Sequence, residues 1–441
     1  MKDKPTKTAT GRRTSSASLP GSDDVLRETL PNGITVLIRE NFVSPAVVIN
    51  GYINAGALDE PAELRGLAGF TGDVMQRATE KRDFQQLYED VESIGATFGL
   101  STATTTSSFG AKGLAGNLTV LLDVLSDILR HPSFPERQVE KARAEILTDL
   151  QERSHDTRRM ATRRFYELAY PEGHPYHWSQ LGYEETISRI TREDLIAFHR
   201  DHFGPQGVVI AIVGGIRAAD AVAMVEATFG DWGSERVDRP PMPPAPALEA
   251  RHEARVKLED KTQSNLVLGW PGPPRANPDY VPCYVANTVL GTFGMYGRLG
   301  SSVREEHGLA YYVYSRVSGG PGPGPWRIIA GVNPTNVDRS VDLILDEVRR
   351  MQDKPVPDEE LADSQSYLAG SLPLRLETNE GVARALTNIE RHNLGLDYLR
   401  TYHKMIQSIT AEEIQRIAQT WMDADHYALA IAEPEAATEA L

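Results

Sequence analysis

The stretch "ISRITREDLIAFHRDHFGPQGVVIAIVGG", residues 187–215, returns in altered form as "IQSITAEEIQRIAQTWMDADHYALAIAEP", residues 406–434. Each copy opens on an Ile, then an Ile-Thr pair, and the Thr is followed three residues later by an acid: Thr191 with Asp194, Thr410 with Glu413. That spacing is a capping box, so a helix is predicted to start after each Thr. A turn and an apolar run follow in both, "VVIAIVGG" and "YALAIAEP", which read as buried strands. Thr410 lies 219 residues after Thr191. A second landmark, "SPAVVINGYINAG" from Ser44 and "SNLVLGWPGPP" from Ser264, repeats after 220. One inserted or deleted residue accounts for the difference. The period is far too long for a solenoid and indicates two tandem copies of one domain.

A chain of 441 residues has room for two such domains. Between the copies, "RVDRPPMPPAPALEARHEAR" has a Pro-rich core that reads as an extended, stiff linker. The expected organisation is a tail over 1–24, a first domain over 25–235, a linker over 236–250 and a second domain over 251–441. Within the first copy strands precede helices: "GITVLIRE" and "AVVINGYINAG", then "VLLDVLSDILR" and "ERQVEKARAEILTDLQERSHDTRRMATRRFYELAY". Strands and helices segregated in this way predict an α+β fold, a mostly antiparallel sheet with helices packed on one face. Two such domains on a long linker are expected to face each other as a clamshell.

The formal net charge of −15 argues against broad binding to nucleic acid or anionic membranes. One cysteine, Cys283, excludes an intramolecular disulfide and a thiolate metal cluster. No apolar run approaches the about 18 residues of a membrane span. The opening "MKDKPTKTATGRRTSSASLPGSD" is basic and hydroxyl-rich, which reads as a disordered tail. Arg12-Arg13 is not followed by the apolar region an export signal needs, and Pro5 weakens a mitochondrial presequence helix. A cytoplasmic location is expected, with the mitochondrial matrix as the alternative.

"GLAGFTGDVMQRATEKRD", residues 66–83, reads as a helix with two stripes. Leu67, Phe70 and Val74 form an apolar face; Gly69, Gly72, Asp73 and Gln76 form a small or polar one. Two glycines inside a helix cost about 1 kcal/mol each relative to Ala, so the second stripe needs a reason. Close packing against a neighbouring backbone is one. The rest of the chain supplies another.

The chain resembles the inverted-motif zinc peptidases, the family of pitrilysin, insulysin and the mitochondrial processing peptidase. The resemblance rests on "LPNGITVLIRE", "INAGALDEPAELRGLAGF", "HPYHWSQLGYEETISRITREDLIAFHRDHFGP" and "SSVREEHGLAYYVYS", in that order on a duplicated frame. The family's metal helix reads G-x-A-H-F-x-E-H-M, and its zinc motif H-x-x-E-H falls here on Gly69, Gly72 and Asp73. By the same resemblance the family's further acidic pair falls on Ala142 and Asp149. Both histidines and the glutamate base are missing, so the resemblance implies no metal in this chain. His174 and His177, or His199 and His202, offer i, i+3 pairs that read as a loop landmark and a solvated helix end. No P-loop or nucleophile elbow occurs.

In the resembling family an Arg and a Tyr seven residues apart reach across from the second domain to substrate held at the zinc of the first. The matching residues are Arg304 and Tyr311 in "VREEHGLAYYVYS"; without the resemblance they read as a surface Arg and a core Tyr. Gly291, Gly294 and Gly297 in "GTFGMYGRLG" resemble a substrate loop, or mark a turn before a tightly packed helix. The resemblance implies a non-zinc subunit of a heterodimeric zinc endopeptidase acting on unfolded peptides, with zinc in a homologous partner. The alternatives are a structural core-type subunit of a respiratory or other complex, and a free-standing peptide-binding protein.

Overall fold

The computed structural model describes residues 19–233, 237, 239, 241–292 and 297–435. The first half supplies strands β1 (Leu26–Thr29), β2 (Thr35–Glu40), β3 (Ala46–Ile53), β4 (Thr97–Thr102), β5 (Ser107–Leu114) and β6 (Val209–Gly214). Its helices are α1 (Leu67–Met75), α2 (Phe84–Glu92), α3 (Leu118–Arg130), α4 (Glu136–Ser154), α5 (Thr157–Ala169), α6 (Glu184–Arg189), α7 (Arg192–His202) and α8 (Ala218–Phe229). The second half supplies β7 (His252–Leu258), β8 (Ser264–Pro271), β9 (Ala310–Val317), β10 (Pro325–Val332) and β11 (Ala428–Pro434). Its helices are α9 (Tyr280–Gly291), α10 (Val337–Asp353), α11 (Asp358–Arg375), α12 (Asn379–Arg391), α13 (Tyr398–Gln407) and α14 (Ala411–Trp421).

The repeat seen in the sequence is a repeat of topology. The first sheet runs β1-β2-β6-β3-β5-β4 and the second β7-β11-β8-β10-β9. Apart from β1 the two orders are the same, with β2/β6 and β7/β11 the parallel pairs and the other neighbours antiparallel. The apolar runs of the two copies are β6 and β11, each buried inside its sheet. Thr191 and Thr410 cap α7 and α14, their hydroxyls accepting from the backbone N–H of Asp194 and Glu413, each at 3.2 Å.

Each half packs its own helices on one face of its sheet, around one large apolar core per half. The opposite face is covered by a helix from the other half. Ala161, Phe165 and Ala169 of α5 lie on Val267, Ile329, Ala428 and Ala430 of the second sheet. Val382, Ala383 and Leu386 of α12 lie on Leu37, Val48, Val209 and Ala211 of the first. This exchange explains why one long helical reading over 136–170 breaks in two: α4 stays with its own half and α5 crosses. Asp156 starts the crossing helix, its Oδ1 accepting from the Arg159 N–H at 2.7 Å.

Residues 19–24, which the sequence reading assigns to the tail, are held on the second half instead. The Ser22 N–H and hydroxyl donate to the Asp397 carboxylate at 2.9 and 2.8 Å, and Arg400 Nε donates to the Leu19 carbonyl at 2.9 Å. Residues 1–18 lie outside the described residues. Cys283 is buried in the second core, where desolvation pushes its thiol well up. Among the described residues no helix is long and apolar enough to cross a membrane.

Candidate functional site

Helix α1 is the centre of the first half's candidate site, and a buried acid fixes where it starts. Glu60 reaches the helix N-terminus, Oε1 accepting from the Ala68 N–H at 2.7 Å and Oε2 from the Gly66 N–H at 3.1 Å. Those amides are among the donors a helix leaves unpaired at its start. Burial nonetheless pushes the Glu60 carboxyl up to about 8, against those hydrogen bonds and the Arg65 charge, which favour ionisation. The folded state therefore binds more protons than the unfolded chain between about 4.5 and about 8. This contribution to stability is complete below the lower value and is lost as pH rises through the upper one. We expect urea midpoints of the protein to fall between about pH 5 and pH 9, and Glu60→Gln to flatten that fall. Parallel profiles for the two proteins would show that Glu60 does not titrate in this range.

The small stripe of α1 is used residue by residue. Gly72 lies against edge strand β4, where a Cβ would come within 2.4 Å of Thr102 Oγ1 and 2.8 Å of Leu100 Cδ2. Anything larger than glycine requires the Thr102 hydroxyl and the Leu100 methyl to give way. One turn on, the Gln76 side chain joins the same strand: its Oε1 accepts from the Leu100 N–H at 2.8 Å and its Nε2 donates to the Leu100 carbonyl at 2.9 Å. Gly69 faces the loop before α6, with space for a Cβ at 3.5 Å from the Gln180 carbonyl.

Asp73 points toward α4 and is already neutralised. Arg77 Nη2 lies 2.9 Å from Asp73 Oδ2 and 2.5 Å from Glu145 Oε2. Burial is the main influence raising the Asp73 carboxyl, and Arg77 opposes it. Asp149, one turn beyond Glu145, is claimed by Arg153 at 2.5 Å and Arg159 at 3.4 Å. Ala142 is fully buried in the first core. Zinc sites normally combine three protein ligands, commonly imidazoles, with an open position. Two carboxylates held by three guanidinium groups do not fit that ion, and among the described residues no three His, Cys, Asp or Glu side chains cluster as a metal site.

Of the histidine pairs, His174, His177 and His199 are engaged with backbone. His174 Nδ1 accepts from the Tyr176 N–H at 3.0 Å and Nε2 donates to the Pro243 carbonyl at 3.1 Å. His177 Nδ1 donates to the Tyr170 carbonyl at 2.9 Å. His199 Nε2 donates to the Leu129 carbonyl at 2.9 Å, and burial brings its ring down to about 4. This ring is half-buried between Phe134 and Phe203, not at the solvated helix end the sequence reading gave it.

In the second half, Arg304 sits in a π-type helical segment, Gly300–Glu306, that leads into edge strand β9. Its side chain is part-exposed, 3.9 Å from the Glu305 carboxylate. Tyr311 follows at the start of β9. The β9–β10 register steps from Ala310↔Val332 to Tyr312↔Gly331, leaving Tyr311 as the extra residue of a β-bulge. Bulges re-aim side chains; the Tyr311 side chain is 59% exposed while the next ring, Tyr312, turns toward α5. The reading of a core Tyr at 311 is thereby excluded. Of the glycine segment, Gly291 and Gly297 lie against each other. Gly297 has φ +94°, and a Cβ on it would approach Gly291 Cα to 2.6 Å. Gly294 lies outside the described residues. Sequence reasoning placed Gln76 on the polar stripe but missed Arg77, Thr102 and Glu145; only the i, i+4 spacing of Asp73 and Arg77 carried a signal.

Two repeated α+β domains, with the glycine-striped helix α1 in one and an exposed Tyr beside an Arg-bearing turn in the other, define a metallopeptidase-like protein of the inverted-motif kind. Residues 35–175 match the model for insulinase (peptidase family M16), and residues 189–368 match that for the peptidase M16 inactive domain. The chain belongs to this family. An uncharacterized zinc protease of Bacillus subtilis, YmxG, is 26% identical over 93% of this chain and 98% of its own length. A probable mitochondrial-processing peptidase subunit beta of Arabidopsis thaliana is 28% identical over 60% of this chain and 50% of its own. Among solved structures, a peptidase M16 inactive domain from Pseudomonas fluorescens superimposes with TM-score 0.86 at 23% identity, covering 93% of this chain and 98% of that one. A chain of complex III2 from Candida albicans gives 0.77 at 16% identity, covering 93% and 96%.

Proposed function

We propose that this chain is the non-zinc subunit of a heterodimeric zinc endopeptidase, supplying Arg304 and Tyr311 to peptide held at a homologous partner's zinc. One asymmetry carries the reading. The carboxylates that could serve a metal are bound by arginines, whereas Tyr311 is turned outward by a bulge at a strand edge. A peptide carbonyl under attack develops an oxyanion, and a guanidinium and a phenol are hydrogen-bond donors suited to it and to the neighbouring backbone. The attacking group has to come from elsewhere, because neither Gly69 nor Gly72 offers a ligand or a base.

The purified chain is expected to hold no stoichiometric zinc and to hydrolyse no unstructured peptide. Mixed with its zinc-bearing partner, it should restore chelator-sensitive cleavage. One tightly held zinc per chain by elemental analysis, or chelator-sensitive hydrolysis by the pure chain, would overturn the proposal. A complex that assembles but cleaves equally well without this chain would favour the structural core-type role.

A further inference from the structure

The cleft between the halves carries a charge opposite to that of the protein. It has a volume of about 650 Å³ and is bounded by α5, the loop 176–181 and the β9–β10 turn. Arg153, Arg158, Arg159 and Arg163 line it together with Tyr176 and Trp178. Among its described lining residues the one carboxylate is Asp156, whose Oδ1 is spent on the Arg159 N–H at the start of α5. The chain as a whole carries a net −15, so this arginine face is not a sample of the general surface.

The arginines are only partly compensated. Arg153 and Arg159 share the single carboxylate of Asp149, and Arg163 pairs with Glu167 at 3.1 Å. Their side chains remain 36%, 47% and 47% exposed. Arg158 makes no ion pair among the described residues; it donates to the Tyr314 hydroxyl and lies 5.5 Å over the Tyr312 ring. Exposed guanidinium forks on one helix face match carboxylates bidentately, and the flanking rings give a surface for a peptide's apolar parts. The cleft also touches the first half's candidate site, since Gln180 in its lining is the residue whose carbonyl faces Gly69.

We propose that this cleft selects acidic peptide segments, Asp/Glu-rich stretches of an unfolded substrate lying along the arginine face of α5. The inference rests on the reading of the chain as a peptidase subunit, and it names the substrate class of that site. The test uses the full chain alone, so it is independent of any partner and of turnover. Unstructured fluorescent peptides of equal length, one Glu-rich, one Lys-rich and one neutral, are titrated and followed by anisotropy. The Glu-rich peptide should bind at least roughly tenfold more tightly than the other two, and its advantage should shrink as salt screens the charges. The triple variant Arg158→Gln, Arg159→Gln, Arg163→Gln should lose that preference. Arg200→Gln, on the exposed side of α7, should keep it. A thermal melt of each variant checks that the fold survives. If the triple variant unfolds, the single substitution Arg159→Gln on the exposed face should lower the preference by itself. Equal or tighter binding of the Lys-rich or neutral peptide would overturn the proposal, as would a folded triple variant that still prefers the Glu-rich one. Acidic preference with no catalytic contribution to a partner would leave this inference standing and defeat the heterodimer reading. Catalytic pairing without acidic preference would do the reverse.

Discussion

Arg304→Ala and Tyr311→Phe are each expected to lower the catalytic rate of the reconstituted pair by roughly 10²–10³, the loss that follows removal of one oxyanion donor. Both should leave the chain folded. Tyr311 is an exposed bulge residue, so losing its hydroxyl unpairs nothing in the sheet ladder. Arg304 is part-exposed on the segment that precedes β9, and its side chain is no part of the second core. Surface substitutions such as Tyr311→Phe change stability by about 0.5 kcal/mol or less. A loss of rate without loss of complex is therefore the signature of a donor acting on substrate. The measurement is turnover of an unstructured peptide alongside the amount of complex formed, with each variant against wild type. A raised Michaelis constant with the rate unchanged would place the pair on ground-state backbone instead. Variants that assemble and turn over like wild type would make the pair idle in this chain and move the structural core-type role ahead.

How much of this was legible in the sequence depends on the range of the interaction. The duplication was readable because capping is local: Thr191 and Thr410 each sit three residues from the amide they cap. The strands β6 and β11 were readable because central strands are apolar on both faces. The crossing of α5 and α12 was not, since Ala161, Phe165 and Ala169 look like any amphipathic face and nothing in a helical period names the sheet it will cover. The small stripe of α1 was seen but only half explained. Its identity as a lost metal motif came from resemblance. Its present physical role came from residues distant in sequence: Thr102 and Leu100 against Gly72, Leu100 with Gln76, and Glu145 beyond Arg77. Those contacts depend on strand register and helix packing that no local pattern encodes. Both explanations of the stripe hold together. Close packing fills the position on which, by that resemblance, the family's glutamate base falls.

That packing makes the ligand set hard to restore. Gly69→His, Gly72→Glu, Asp73→His and Asp149→Glu in one chain are expected to give at most weak zinc binding and a lower melting temperature. Gly69 tolerates a side chain, with 3.5 Å to the nearest backbone oxygen. Gly72 does so less readily. Its Cβ would overlap Thr102 Oγ1 and Leu100 Cδ2, so both side chains have to give way and the 3.0 Å bond of Thr102 to Ser107 Oγ is lost. Overpacking of this kind costs about 1–3 kcal/mol. Replacing Asp73 leaves Arg77 beside the new imidazole with only Glu145 to balance it, and a guanidinium next to a dication site is repulsive. At the other ligand position Arg153 and Arg159 still hold the carboxylate. The groups that orient ligands are worth about 10–100-fold in metal affinity or activity, and here they point cations at the site. The check is zinc stoichiometry after dialysis, with thermal unfolding on the same sample. Adding Thr102→Gly and Arg77→Ala to the four changes should recover part of the lost stability and raise zinc affinity. Near-stoichiometric, tightly held zinc in the four-residue variant alone would show that β4 yields easily and that the arginines are no obstacle.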